Sequence, residues 1–262
     1  MLVPDDRLPG PHELVDDTGL TCARLMLADR ADWLQVDVDW TAPSASPTYL
    51  ATLAARDLSG IRVATTQPSL ADALVAAGGH VTRRGTQMVY DVRRAPPPDS
   101  WGDRGLRDGV LLVDYPPVDE QIAAAWLDAY PPEHPDRDDT IVTVADSIAD
   151  LAPLRNGEAT GPFSESSTVA VNAEGGVVGA VLVTLMPDNS MWSGPWIPDL
   201  FVVTALRGRG LGARLLRYAI AATEHSGADG IALTVSSGNP ARLLYEKVGF
   251  EPGPSFTTVA MP

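Results

Sequence analysis

The sequence is poor in cysteine and in lysine, because Cys22 is its one cysteine and Lys247 its one lysine among 262 residues. A single cysteine excludes an internal disulfide and any metal site built from several cysteines. The histidines lack the spacing of metal ligands, so the sequence predicts no bound metal. Acidic residues outnumber basic ones by 34 to 19, and the resulting net charge of -15 disfavours nucleic acid and anionic membranes as partners.

Long apolar runs are also missing. The most apolar run, residues 175–186, is too short to span a membrane. The first residues, 1–7, lack the basic and apolar regions of a signal peptide, so we expect a soluble, cytoplasmic protein. A length of 262 residues allows one large domain or two small ones, and a homodimer is compatible with this composition.

The acidic charge is unevenly distributed. Residues 99–150 hold 13 acids and 3 bases, a net charge of -10, whereas residues 1–98 and 151–262 carry only -3 and -2. Four arginines lie within residues 207–217, with no acid among them. The acidic segment is either a solvated surface or a region that attracts cationic ligands.

Three consecutive prolines, residues 96–98, cannot continue a helix or an interior strand. The sequence therefore predicts a linker over residues 95–104. This linker would separate an N-terminal part, residues 1–94, from a C-terminal part, residues 105–262.

The C-terminal part has the hydrophobic pattern of a mixed α/β domain. The predicted helices cover residues 118–130, 147–154, 210–225 and 239–248. The predicted strands cover residues 167–171, 177–186, 196–203, 231–235 and 257–261. Asn239 is the expected N-cap of the last helix and Gly249 its terminator.

The N-terminal part weakly repeats the end of the chain at a constant offset of 170 residues. Six residues, among them Gly60 and Gly79, are identical to their counterparts, which include Gly230 and Gly249. The order of strand, helix, glycine and strand is also the same, which favours duplication over chance. The earlier copy has Val75 opposite Tyr245, so it lacks this tyrosine.

A glycine-rich stretch, residues 207–212, joins an apolar strand to an amphipathic helix. Glycines let successive backbone N–H groups face one point, and the helix N-terminus adds its dipole, which is typical of a phosphate or pyrophosphate site. The residues of a Walker P-loop are absent. A Rossmann fingerprint fits formally over residues 208–213, but Asp229 precedes the next strand, where the ribose-binding acid should follow it.

Three motifs in order make residues 105–262 resemble the GCN5-related N-acetyltransferase (GNAT) family. They are the stretch Arg207-Gly-Arg-Gly-Leu-Gly212, the preceding strand Asp199-Leu-Phe-Val-Val203, and the segment from Asn239 to Phe250. The resemblance implies an α/β fold with a mixed, mostly antiparallel and splayed sheet flanked by helices. The N-terminal part would then be a partial, degenerate GNAT-like repeat.

The resemblance also implies acetyl-CoA as co-substrate and a set of residues that bind it. The pyrophosphate would bind the backbone of Arg207, Gly208, Arg209, Gly210, Leu211 and Gly212, with Ala213 just inside the helix. The pantetheine arm would pair with the strand residues Phe201, Val202 and Val203, one of whose N–H groups would polarise the thioester carbonyl. Asn239 would either contact the arm or only cap its helix.

In the same way, Tyr245 matches the family's general acid, which would protonate the leaving thiolate. A primary amine is mostly protonated at pH 7, so a base must take its proton. Asp199 is the first candidate for this base, followed by Glu133 or His134 and then Glu165.

The sequence thus predicts an N-acetyltransferase that acts on a primary amine by direct attack. The acidic segment favours a small cationic metabolite as acceptor, and a protein N-terminus or lysine side chain is an alternative. Another alternative is a non-catalytic acetyl-CoA-binding sensor or partner module.

Overall fold

The computed structural model describes residues 10–30, 33–115, 119–137, 140–186 and 192–262. The chain folds as two compact units. In the described part, the first unit comprises residues 10–86 and Pro254–Pro262, and the second comprises the described residues between 87 and 253. No helix in these ranges is both long and apolar enough to cross a bilayer.

The first unit holds five strands and two helices up to the point where the chain enters the second unit. They are β1 (Gly10–Val15), β2 (Thr21–Arg30), β3 (Trp33–Thr41), α1 (Pro47–Asp57), β4 (Arg62–Thr65), α2 (Pro68–Ala76) and β5 (His80–Asp91). Strands β1, β2 and β3 pair antiparallel in this order, and β4 then pairs parallel to β3. The second half of β5 belongs to the second unit.

A single apolar core holds the first unit together. The inward faces of α1 and α2 bury Leu50, Leu53 and Leu74 against the sheet. Val259 and Met261, from the end of the chain, lie in the same core. The first unit therefore depends on residues almost two hundred positions downstream of its helices.

The second unit holds the remaining strands and helices. They are β6 (Leu111–Asp114), α3 (Asp119–Ala129), α4 (Val144–Arg155), β7 (Thr168–Val171), β8 (Val177–Met186), β9 (Gly194–Val202), α5 (Leu211–His225), β10 (Gly230–Ser236) and α6 (Ala241–Val248). The last strand, β11 (Glu251–Ala260), begins in this unit and belongs to the first unit from Pro254 onwards. The strand order within this unit is β5-β10-β9-β8-β7-β6, in which β5 contributes its second half. Strand β9 is parallel to β10 and antiparallel to β8.

Helices cover both faces of this sheet. Helices α5 and α6 pack on one face, where Leu215, Ile220 and Tyr245 join the core. Helices α3 and α4 pack on the other, where Trp126 and Leu154 join a second cluster. Because β8 is covered on both faces, its sequence is an almost continuous apolar run. The predicted mixed α/β class, with a mostly antiparallel sheet, is confirmed.

The predicted elements of residues 105–262 all appear, and the structure adds β6, which the sequence did not predict. Three differences concern the starts of α4, β11 and α6. Helix α4 begins at Val144 and not at 147, because Thr143 and Asp146 form a reciprocal capping box that the sequence analysis missed. Strand β11 begins at Glu251, six residues before its predicted start. Val118, the predicted start of α3, lies outside the described residues.

The third difference corrects the role given to Asn239. Pro240, and not Asn239, occupies the N-cap position of α6. The side-chain oxygen of Asn239 still accepts a hydrogen bond of 2.8 Å from the Ala241 N–H. Asn239 therefore stabilises the start of the helix from one residue further out, while Gly249 ends it with φ 116° as predicted.

The two halves of the chain share one order of elements. The series β1-β2-β3-α1-β4-α2-β5 has the same order as β7-β8-β9-α5-β10-α6-β11. An offset of 170 residues places β4 on β10, α2 on α6 and β5 on β11. The last strands take unexpected partners, because β11 pairs with β4 in the first unit and β5 lies beside β10 in the second.

Candidate active site

Strand β9 separates from β10 halfway along its length. The two strands pair only at Trp196 and Ile197, although β9 continues to Val202. The separation begins at a β-bulge, where Ile197 and Pro198 together oppose Val183 of β8. Proline has no N–H to donate to a ladder, so Pro198 fits the point where the pairing stops.

The backbone of β9 beyond the bulge has one bonded side and one open side. The Val203 N–H donates to the Val178 carbonyl at 3.0 Å. Because antiparallel pairing alternates, Phe201 also points its N–H towards β8, whereas Leu200 and Val202 point theirs towards the side that β10 has left. Of the three strand residues singled out by the sequence, only Val202 has its N–H on the open side.

The glycine-rich loop opens α5 at the end of this strand. Gly208 and Gly210 have φ values of 74° and 86°, and no atom lies within 4 Å of the position where either would carry a Cβ. In the described part of the chain, no protein acceptor contacts the N–H groups of Gly208, Arg209 and Gly210. Together with the first N–H groups of α5, they form a cradle of backbone donors suited to an anion.

The four clustered arginines do not act together. Arg207 donates to the Ala129 carbonyl at the end of α3. Arg214 donates to the Val110 and Gly105 carbonyls, and Arg217 lies over the ring of Trp101. Arg209 alone among the four is exposed with no such contact among the described residues. The cluster in the sequence is therefore split, because helical geometry points Arg214 and Arg217 away from the loop.

Asp199 lies on β9 and faces α3. Its two carboxylate oxygens accept hydrogen bonds of 2.6 Å each, one from the Trp126 indole N–H and one from the Tyr130 hydroxyl. Burial raises the pKa of Asp199 to about 6, although both hydrogen bonds act in the opposite direction. A carboxylate with such a pKa is ionised at neutral pH and is still basic enough to accept a proton.

Tyr245 lies on α6 and is buried, with 8 % of its surface exposed. Burial raises the pKa of its hydroxyl, and the carboxylates of Asp199 and Asp136 raise it further. The phenol is thus held in its protonated form close to two acidic side chains. The structure thus brings into one region Tyr245 and Asp199, the two side chains that the sequence predicts as proton donor and proton acceptor.

The turn after α3 supplies the remaining polar groups. Asp136 accepts a hydrogen bond from the side-chain amide of Asn239, and its N–H donates to His134 Nδ1 at 3.2 Å. Burial lowers the pKa of His134, whose ring meets the Tyr130 ring edge-on at 4.7 Å. Glu133 lies in the same turn with its side chain exposed, and Glu165 is exposed as well.

Comparison with protein families identifies this part of the chain. Residues 164–252 match the family model described as the acetyltransferase (GNAT) domain. These residues therefore carry a GNAT-type acetyltransferase domain. The glycine-rich loop, Asp199 and Tyr245 all lie within the matched residues.

Solved structures extend the likeness of fold beyond the GNAT domain. A GCN5-related N-acetyltransferase from Sphaerobacter thermophilus is 19% identical, with a TM-score of 0.62 over 95% of this chain and 80% of that one. One from Kribbella flavida is 18% identical, with a TM-score of 0.61 over 98% and 90% of the two chains. A tandem GNAT protein from the clavulanic acid biosynthesis pathway is 19% identical, with a TM-score of 0.59 over 94% and 82%. No curated protein sequence matches the chain.

Sequence reasoning missed several residues beside the GNAT motifs. Trp126 and Tyr130, which bind Asp199, had a detectable signal, because two polar-tipped aromatics four residues apart share one helix face. Pro198, inside a predicted strand, could have indicated the bulge. Asp136 had no signal beyond its place in the acidic segment. Within the described ranges, no group of three or more potential metal ligands occurs.

Proposed function

We propose that the chain transfers the acetyl group of acetyl-CoA to a primary amine. The observation that carries this proposal is that β9 loses its pairing with β10 after Ile197, which leaves an open backbone edge from Asp199 to the donors of the glycine-rich loop. An extended ligand with a pyrophosphate at one end and a thioester at the other fits such a path. The loop has room for it, because nothing fills the space beside Gly208 and Gly210.

Acetyl-CoA is held mainly by backbone groups in this proposal. The N–H groups from Gly208 to Ala213 bind the pyrophosphate, and Arg209 supplies the nearby positive charge. The open edge of β9 pairs with the pantetheine arm, and the Val202 N–H polarises the thioester carbonyl. We assign Asn239 no part here, because both ends of its side-chain amide have other partners.

Two side chains move protons. Asp199 accepts a proton from the acceptor ammonium, so that a neutral amine attacks the carbonyl carbon. The carbon–sulfur bond then breaks, and Tyr245 donates its proton to the departing thiolate. The nitrogen, which is positively charged after the attack, releases its second proton, and this proton restores the Tyr245 hydroxyl, while the proton on Asp199 leaves to solvent. Glu133 is exposed in its turn, and we assign it no proton transfer.

A small cationic amine is the acceptor class that the charges favour. Asp136 and Asp199 both lie close enough to Tyr245 to raise the pKa of its hydroxyl. Aromatic rings of Trp126, Tyr130 and His134 lie beside them, and such rings also attract cations. All these groups come from one chain, so the proposal does not require a homodimer.

The N-terminal unit is, in this proposal, a degenerate copy without a coenzyme site. The loop before α1 has no counterpart of residues 207–212. Ser46 accepts a hydrogen bond from the Tyr49 N–H, and Pro47 removes another donor at the start of α1. Its helix N-terminus is thus closed where that of α5 is open, so each chain carries one acyl-transfer site.

A thiol-release assay with acetyl-CoA and a panel of amines tests the proposal. We expect turnover with cationic amines and a loss of about a hundredfold or more in kcat for Asp199→Asn. Calorimetry with acetyl-CoA, carried out in parallel, should give the same Kd for this variant as for the wild type. Binding of acetyl-CoA without turnover on any amine, peptide amines included, would favour a sensor over an enzyme.

A further inference from the structure

Two side chains at the end of α3 hold one carboxylate of β9. Trp126 lies in the last turn of α3 and Tyr130 directly follows the helix. The Tyr130 N–H donates to the Trp126 carbonyl at 3.0 Å, so the helical turn continues to Tyr130 and the two side chains lie on the same face. Each donates one hydrogen bond of 2.6 Å, and each uses a different oxygen of Asp199. The carboxylate is thereby fixed at both oxygens, since a rotation that kept one of these bonds would break the other.

The arrangement still leaves the carboxylate able to accept a proton. An ionised carboxylate has about four lone-pair positions, and the two donors use one on each oxygen. Both donors are neutral, so the negative charge of Asp199 is not cancelled by a cation. A salt bridge would have made it a poor base, whereas two neutral donors orient it and preserve its basicity.

Several other titratable groups surround Asp199. Asp150 of α4 and Asp136 of the turn after α3 raise its pKa by repulsion, after the larger effect of burial. Tyr245 faces it from α6, and His134 lies against the ring of Tyr130. The Arg137 guanidinium lies over the Trp126 ring at 5.7 Å. Because the two neutral donors lower the pKa of Asp199, removal of either donor would raise it further above its usual value.

We propose that Trp126 and Tyr130 are positioning residues, which keep the Asp199 carboxylate ionised and aimed for removal of a proton from the acceptor ammonium. This inference rests on the proposed function, in which Asp199 is the base. It adds a pair of neutral donors that decide the pH range in which that base works. Neither residue needs to contact the acceptor to do so.

The variant Tyr130→Phe removes one donor and keeps the aromatic ring. The pH dependence of kcat/KM is measured for this variant and for the wild type. In the acidic limb of this profile, kcat/KM falls as the pH decreases. We expect the midpoint of this limb to move upwards by about one pH unit, because the loss of one hydrogen bond to a charged group produces a change of this size. Because the pKa of Asp199 is about 6, the loss should be about fivefold at pH 6 and approach about tenfold below pH 5, and above pH 8 it should be less than about twofold. Trp126→Phe should move the limb in the same direction.

We call the two hydrogen bonds from Trp126 and Tyr130 to Asp199 the clamp. Two control variants test whether a moved acidic limb is due to the clamp or to neighbouring groups. Tyr115→Phe changes another half-buried tyrosine of the second unit, which packs on Phe163 and not on Asp199, and should not move the limb. His134→Gln removes the imidazole beside Tyr130, whose own titration would also produce an acidic limb. If the acidic limb disappears in His134→Gln, the limb belongs to the histidine and the inference is wrong.

Direct titration of the Asp199 carboxyl by carbon-13 NMR distinguishes the failure of this inference from that of the proposed function. An upward shift in Tyr130→Phe, together with a moved acidic limb, supports the inference. An unchanged titration overturns the clamp itself, whatever the activity. A shifted titration with an unmoved limb, or with no turnover of any amine by the wild type, shows that the clamp exists and that Asp199 is not the base, which overturns both proposals.

Discussion

The side-chain amide of Asn239 donates a hydrogen bond to the carboxylate of Asp136. The contact joins the start of α6, the helix that carries Tyr245, to the turn after α3. It places a negative charge near Tyr245, the proposed general acid, and near Asp199, the proposed base. The same amide also accepts from the Ala241 N–H, so the position of Asp136 is coupled to the start of the helix.

The charge of Asp136 should therefore matter for cationic acceptors. We expect Asp136→Asn to lower kcat/KM about tenfold for a diamine and less than twofold for a monoamine with an uncharged tail of equal length, since a charge pair near the surface contributes on the order of 1–4 kcal/mol. The rates are compared above pH 8. Asp136 raises the pKa of Asp199, so the substitution lowers that pKa, and both proteins have Asp199 ionised at this pH.

Glu133→Gln is the matched control for this experiment, because it neutralises an exposed acid of the same turn. Its kinetics should match those of the wild type for both amines. Equal losses in the two variants would show that the acidic turn acts by its overall charge and not through Asp136.

Gly210 begins α5 in a left-handed conformation with φ 86°, and Gly227 follows the same helix with φ 81°. Neither has a neighbouring atom within 4 Å of its Cβ position, so both Gly→Ala variants should lose about 1 kcal/mol of stability from backbone strain alone. Only Gly210→Ala should also weaken the binding of acetyl-CoA, because it changes the direction of the backbone N–H groups of the loop. Calorimetry measures the Kd for acetyl-CoA, and thermal unfolding measures the loss of stability that we expect for both variants. Equal Kd values for the two variants would contradict the loop as the pyrophosphate site.

Tyr245→Phe should lower kcat about a hundredfold and leave the KM for acetyl-CoA unchanged, because it removes a proton donor and retains the ring. Burial and the two nearby carboxylates raise the pKa of Tyr245, so the hydroxyl stays protonated as the pH rises. Activity should consequently show no alkaline limb from this group up to pH 9. Tyr90→Phe is the control, since the Tyr90 hydroxyl lies in the same unit and donates to the Ala95 carbonyl. A similar loss in both variants would point to general destabilisation.

The second unit should not fold without the end of β5. Met88, Tyr90 and Val92 are buried in its core, upstream of the predicted linker at 95–104. We expect a fragment of residues 87–253 to unfold cooperatively in circular dichroism, and one of residues 105–253 to lack a cooperative transition. The predicted domain boundary would be supported if the shorter fragment folded equally well.

Some features could be predicted because they depend on local sequence. The helix over residues 211–225 has a clear apolar face, and Gly249 ends the last helix because only a residue tolerant of positive φ fits there. The glycine-rich loop was recognisable for the same reason. Each of these features depends only on residues that lie a few positions away in the sequence.

Other features of the site depend on residues far apart in the chain. Asp199 was identified as a candidate base, but its two donors come from the end of α3 and the residue after it, about seventy residues earlier. The arginines near 207–217 looked like one basic cluster, yet each takes partners that only the packing supplies. Burial also sets the pKa of Asp199, and burial is a property of the assembled unit.

The sequence by itself determined the order of the strands and helices from α3 onwards, the backbone conformation of the glycine-rich loop and the residue types of the site. Only the tertiary structure decided which strands complete each unit. Strands β5 and β11 occupy equivalent places in the two halves, and yet β11 pairs with β4 while β5 lies beside β10. The physical reason is that strand pairing requires complementary backbone edges and apolar faces, which equivalent strands offer equally well, so the choice between partners depends on packing across the whole chain.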